Sequence, residues 1–107
     1  MANPDDREVS IDEVQGLAGA TIVDLRDDSA WASGHLPGAT HVERDELEVR
    51  LGEVLPDKEA PVVLYCGGGG RAGRAADLLH EMGYTNVRSM AGGWRAWRAA
   101  GLPTENE

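Results

Sequence analysis

Apolar residues fall in short clusters of two kinds along the chain. Thr21-Ile-Val-Asp-Leu and Pro61-Val-Val-Leu-Tyr-Cys are nearly continuous aliphatic runs rich in β-branched residues, the pattern of strands buried on both faces of a parallel sheet. Residues 40–43 and 86–90 carry a weaker form of the same signal. Between these runs the spacing becomes helical. Ser10-Ile-Asp-Glu13 is a capping box, and it opens a short helix that offers Ile11, Val14 and Leu17 or Ala18 to a core. Over residues 45–55, apolar positions 47, 51, 54 and 55 recur at helical intervals, and Pro56 follows them. Over residues 71–82, positions 72, 75, 76, 79 and 82 form a stripe of mostly Ala and Leu, with Gly83 where a C-terminal cap belongs. Trp94 and Trp97 share one face of a last helix, stopped by Gly101 and Pro103. Strands alternating with helices predict an α/β domain with a mainly parallel sheet.

At 107 residues the chain suffices for one core and is too short for two. Its 41% hydrophobic and 27% charged content argues against wholesale disorder. Residues 1–6 and 104–107 are short, polar and acidic, so the domain is expected over 7–103 with flexible termini. No apolar run approaches the roughly 20 residues of a membrane span, and MANPDDREVS carries acids where a signal peptide is basic and then apolar. A soluble cytoplasmic protein with no membrane partner is expected.

The net charge of −9 repels a phosphate backbone, which disfavours nucleic-acid binding. That charge is unevenly spread. Residues 60–100 hold five arginines (71, 74, 88, 95 and 98) against two acids, Asp77 and Glu81, so an anion site belongs there. A single cysteine excludes an internal disulfide and any multi-cysteine zinc site, and His35, His41 and His80 lack helical metal-ligand spacing. No metal or organic cofactor is called for.

The chemistry concentrates in Tyr65-Cys66-Gly67-Gly68-Gly69-Gly70-Arg71, between the best strand and the best helix. Parallel sheets place ligand sites at such strand-to-helix turns. Gly67, Gly68, Gly69 and Gly70 allow positive φ and carry no side chain, so backbone N–H groups can converge on an anion before the helix. A sulfur held there, with Arg71 and Arg74 close by, is favoured as the nucleophilic thiolate. The alternative is an inert strand-end cysteine on a flexible turn. Against it stands the ordering cost of about 0.5–1 kcal/mol for each glycine, which is hard to explain without a use. A P-loop is a poorer match, because Gly-Lys-Ser/Thr is missing.

Across most of its length the sequence resembles the single-domain sulfurtransferases of the rhodanese family. The resemblance is carried, in family order, by Val23-Asp24-Leu25-Arg26, Gly34-His35-Leu36-Pro37-Gly38-Ala39, Cys66 with Gly69 and Arg71, Gly92-Gly93-Trp94, and Gly101-Leu102-Pro103. It implies a five-stranded, mainly parallel sheet flanked by helices on both faces. It also implies that Cys66 carries a persulfide, taken from thiosulfate or a related donor and passed to cyanide or a thiol. Family loops often hold a basic or polar side chain between Cys and Arg; here all four positions are glycine. With no second cysteine to resolve the persulfide, an external acceptor must complete the cycle, either a small molecule or a protein.

The resemblance places Asp24 where it would order neighbouring loops, and His35 as a loop-packing hydrogen-bonder. Arg26 is expected to pair with nearby acids such as Asp27 or Asp28. His41 and His80 have no motif around them; Trp94 and Trp97 read as core, and the acids over 43–59 as a solvated helix face. Two other functions use the same cysteine: a persulfide carrier serving a partner protein, and a thiolate phosphatase or arsenate reductase. Loop-thiolate phosphatases of similar fold have five residues between Cys and Arg, whereas four separate Cys66 from Arg71.

Overall fold

A computed structural model describes residues 7–68 and 70–106. Five strands form one sheet in the order β1-β5-β4-β2-β3, with β1 Glu8–Val9, β2 Thr21–Asp24, β3 Thr40–His41, β4 Val62–Tyr65 and β5 Val87–Met90. Every pairing is parallel. The central strands are the two continuous apolar runs, as burial on both faces requires.

Alternation along those strands divides the core. Val23, Leu25, Val62, Leu64 and Val87 face one layer, where they pack with Leu47, Leu51 and Leu55 of α3 (Leu47–Val54) and its end, and with Ala72, Ala75, Ala76 and Leu79 of α4 (Gly70–Glu81). Val63, Tyr65 and Met90 face the other, against Val14 of α1 (Ile11–Gly16) and Trp97 of α5 (Gly93–Ala99). Helices therefore flank both faces. The small Ala stripe of α4 lets that helix lie close on the sheet.

The capping box forms as expected, with Glu13 N–H donating to Ser10 Oγ (3.1 Å) and Ser10 N–H to Glu13 Oε1 (3.3 Å). Two elements had no clear sequence signal. β1 spans only two residues, too few to display a period. Helix α2, Asp28–Ser33, buries none of its residues and so lacks an apolar stripe; its start is fixed by Asp27, whose carboxylate accepts from Ala30 N–H (2.8 Å). At the C-terminus, Glu105 lies in the stretch expected to fray, yet it exchanges two backbone hydrogen bonds with His35 (2.8 and 2.9 Å). Residues 1–6 and 107 lie outside the described residues. Among the described residues no helix is long and apolar enough to cross a membrane.

Candidate active site

Chain connections leave β2 and β4 in opposite directions across the sheet, β2 towards β3 and β4 towards β5. Ligand sites of open parallel sheets lie beyond the strand ends at such a switch point. Asp24 and Tyr65 are register partners, and Leu25 N–H donates to the Tyr65 carbonyl (2.9 Å). The Leu25-Arg26 and Cys66-Gly67 segments thus leave the sheet side by side.

Cys66 is 3% exposed and belongs to the core cluster that contains Leu25 and Leu64. Its carbonyl accepts from Trp94 N–H (2.8 Å), and that of Gly67 from Arg95 N–H (3.0 Å). The first turn of α5 is thereby latched to the cysteine segment by main-chain bonds. Gly93 makes the approach possible: its φ is +60°, and a Cβ there would lie 2.5 Å from the Cys66 carbonyl oxygen and 3.0 Å from that of Gly67.

Gly69 lies outside the described residues. Gly67 and Gly68 do not take positive φ, so that freedom is not what these two glycines supply. Among the described residues, an added Cβ at Gly67 or Gly68 would meet no group within 4 Å, and one at Gly70 only Arg74 Nη2 at 3.9 Å. Arg71 is exposed in the first turn of α4, and exposed Arg74 lies over Gly70.

Gly67 and Arg71 line a cleft of about 550 Å³, together with Arg26, Asp27, Glu43, Arg44, Asp45, Trp94, Arg95 and Arg98. Cys66 directly precedes Gly67 but is packed in the core rather than in the cleft lining, Asp24 is buried below Arg26, and Gly68, Gly70 and Arg74 do not line the cleft. Of the site residues expected from the sequence, Gly67, Arg71 and Arg26 do line it. His35 does not. It stacks on Trp31 (ring centroids 3.4 Å apart) and hydrogen-bonds the Trp31 carbonyl through Nδ1 (2.9 Å), which fits a loop-packing role. His41 and His80 are less idle than the sequence suggested: His41 Nε2 bonds the Arg26 carbonyl (2.7 Å) and His80 Nε2 that of Val87 (2.8 Å).

Arg26 pairs with Asp24, not with Asp27 or Asp28. Asp24 and Arg26 lie two residues apart and so point the same way, whereas Asp27 is occupied in capping α2. Arg26 Nη2 reaches Asp24 Oδ2 (2.7 Å), and Nε bonds both oxygens (3.1 and 3.2 Å). Tyr65 Oη donates to Asp24 Oδ2 (2.6 Å) and accepts from Leu36 N–H (3.1 Å), while Arg26 Nη2 also donates to the Gly34 carbonyl. Burial draws the Arg26 guanidinium down, but the hydrogen bond and charge of Asp24, with smaller help from Tyr65, hold it above its ordinary pKa. Burial, then the hydrogen bond and charge of Asp24, push the Tyr65 phenol well above the usual tyrosine range.

The guanidinium of Arg26 also lies 4.3 Å from the Trp94 ring centroid. Trp97 is core, as the spacing suggested; Trp94 is half-buried and forms part of the cleft wall. Glu43 and Asp45 likewise belong to the cleft rather than to a solvated helix face, because they lie in the turn before α3 begins. Arg95 and Arg98 were visible in the sequence as local positive charge, without a location.

A family model described as "Rhodanese-like domain" matches residues 10–100. Among sequence relatives, the thiosulfate sulfurtransferase GlpE of Pseudomonas entomophila is 37% identical over 76% of this chain and 72% of its own length. The uncharacterized protein YqhL of Bacillus subtilis is 35% identical over 77% of this chain; the match spans 64% of that longer protein. Among solved structures, the Alr3790 protein from Anabaena sp. superposes with a TM-score of 0.84 at 30% identity, covering 92% of this chain and 82% of that one.

Proposed function

The chain belongs to the rhodanese-like domain family, and on that premise we propose that it is a sulfurtransferase working through a persulfide on Cys66. One observation carries the reading: the only cysteine ends the central strand at the switch point, beside a cleft containing five arginines, 26, 44, 71, 95 and 98. Relatives named thiosulfate sulfurtransferase support the same class. The Cys66 thiolate attacks the outer sulfur of thiosulfate; the Cys66 Sγ–S bond forms, the S–S bond of the donor breaks, and sulfite departs with the electron pair. A nucleophile then attacks the outer sulfur of the persulfide and returns Cys66 as thiolate.

The chain's own residues have distinct tasks in this scheme. Arg71 and the glycine loop, Gly69 included, hold the anionic donor, and Arg74 adds positive charge from one turn further along α4. Asp24, through Arg26 and Tyr65, fixes the β2 end against the β4 end. His35 braces the neighbouring loop. Cys66 attacks only when the donor sulfur lies in line with Sγ, so small loop displacements are costly. Intact-mass spectrometry after incubation with thiosulfate tests the reading: one sulfur atom added, located on Cys66, supports it, and an unchanged mass refutes it.

A further inference from the structure

Three consecutive residues between α2 and β3 are tied to different parts of the molecule. The Gly34 carbonyl accepts from Arg26 Nη2, Leu36 N–H donates to Tyr65 Oη (3.1 Å), and both of those partners donate to Asp24. His35, between them, turns its main chain the other way: its N–H and carbonyl pair with Glu105 (2.8 and 2.9 Å). Glu105 reaches further along the same loop, accepting from Gly38 N–H through Oε1 (3.3 Å). Gly34 is where these ties meet the cleft. A Cβ there would lie 3.2 Å from Trp94 Cη2 and Cζ2 and 3.8 Å from the Glu105 carbonyl oxygen, so the Trp94 ring, the Gly34 backbone and residue 105 are packed together. Trp94 in turn carries the Arg26 guanidinium over its ring, and both line the cleft.

The segment that makes these contacts continues from α5. Leu102 packs against the core layer that contains Trp97, and the Pro103 carbonyl accepts from Trp97 Nε1 (2.8 Å). Residues 103–106 are exposed, whereas Gly34, His35 and Leu36 are buried. An exposed segment held by a few hydrogen bonds over buried main chain can open locally while the layers of the core stay packed. We propose that residues 103–105 are a strap that sets the shape of the cleft. Docked on Gly34-His35, the strap holds the Trp94 ring and the Arg26 guanidinium in the wall; undocked, it lets that wall loosen while the sheet stays intact. Release frees the Gly34 backbone, so Trp94 loses its neighbour and Arg26 loses the fixed position of one acceptor. Asp24 keeps its grip on Arg26, which limits the motion to the wall side chains and the 34–38 loop. The proposal concerns the cleft itself and stands whatever chemistry Cys66 performs.

The test is NMR of the full, isotope-labelled chain. Glu105→Pro removes the N–H donated to the His35 carbonyl. In that variant the His35 amide should exchange with solvent about fivefold faster or more, the loss of one hydrogen bond from a local opening, while the β4 amides exchange as in the wild type. The indole Nε1–H resonance of Trp94 and the side-chain Nε–H resonance of Arg26 should both shift. Glu105→Ala keeps the main-chain pair and removes only the carboxylate at Gly38, so it should move the same signals in the same direction by less. The wild type supplies a measurement that needs no variant: the His35 and Glu105 amides should exchange together, at urea concentrations that leave the β4 amides protected. Trp94 and Arg26 resonances that stay in place once the His35 amide is freed would overturn the proposal, because the strap would then have no hold on the cleft. So would a wild-type His35 amide that exchanges only when the β4 amides do, because no separate strap would then open.

Discussion

Tyr65 Oη donates a 2.6 Å hydrogen bond to Asp24 Oδ2 between register partners on adjacent strands, and both residues are fully buried. The bond joins the end of the strand that carries Cys66 to the end of the strand that carries Arg26. Tyr65→Phe removes the donor to Asp24 and the acceptor of Leu36 N–H, and is expected to cost about 1–3 kcal/mol, read from urea unfolding midpoints. The pH dependence has a definite sign. The native phenol is held protonated well beyond the unfolded value near 10, so its stabilising contribution is complete below about pH 10 and is lost as pH rises above it, where only the unfolded chain releases the proton. Wild-type stability should fall steeply there, and Tyr65→Phe should flatten that alkaline limb.

Cys66→Ser is expected to eliminate thiocyanate formation from thiosulfate and cyanide, because a hydroxyl cannot carry the persulfide. The variant should still fold. Since Cys66 is packed in an apolar cluster, placing a hydroxyl there should cost about 1–3 kcal/mol rather than nothing, measurable by thermal denaturation. Wild-type turnover in the variant would remove Cys66 from the mechanism.

Arg71→Ala removes an exposed cation from the rim of the cleft. Loss of one charge-assisted contact to the donor should raise the KM for thiosulfate by about tenfold or more, with unfolding midpoints little changed. Steady-state kinetics at fixed cyanide give the measurement, and an unaltered KM would confine Arg71 to a structural role at the start of α4.

Aryl phosphates should not be substrates. Four residues separate Cys66 from Arg71, one fewer than in the loop-thiolate phosphatases, so the shorter loop holds a phosphoryl group out of line with the sulfur. Misplacement of this kind costs on the order of a hundredfold in rate. A chromogenic phosphatase assay at high enzyme concentration measures it; inserting one glycine between Gly70 and Arg71 should weaken sulfur transfer. Cys66-dependent phosphate release by the unmodified chain, without sulfur uptake, would reverse the functional reading.

Much of the layer structure could be read in advance, because the signals were periodic. The runs at 21–25 and 61–66 became the central strands, and the Ala-Leu stripe became the buried face of α4. β1 and α2 were not legible, since one is too short for a period and the other buries nothing. Within the site, the cysteine, loop and arginines stood out locally. What could not be read was pairing across strands: Tyr65 finds both Asp24 and Leu36 through register that no local pattern encodes. Trp94 illustrates a second limit. Its helical spacing from Trp97 predicts a shared face, and Trp94 does pack against the same cluster as Trp97, but only in part, since it also lies beside Arg26 in the cleft wall.

That latch has a dynamic consequence. Trp94 and Arg95 donate their amides to Cys66 and Gly67, carbonyl to N–H with no side chain involved. The cysteine segment cannot move away without releasing the start of α5, and α5 cannot unfold locally without freeing the cysteine segment. The two elements therefore open as one cooperative unit, and the free energy of that opening sets a common floor for the order of the nucleophile and the attachment of the last helix. Amide hydrogen exchange at Trp94 and Arg95 reports on both events at once.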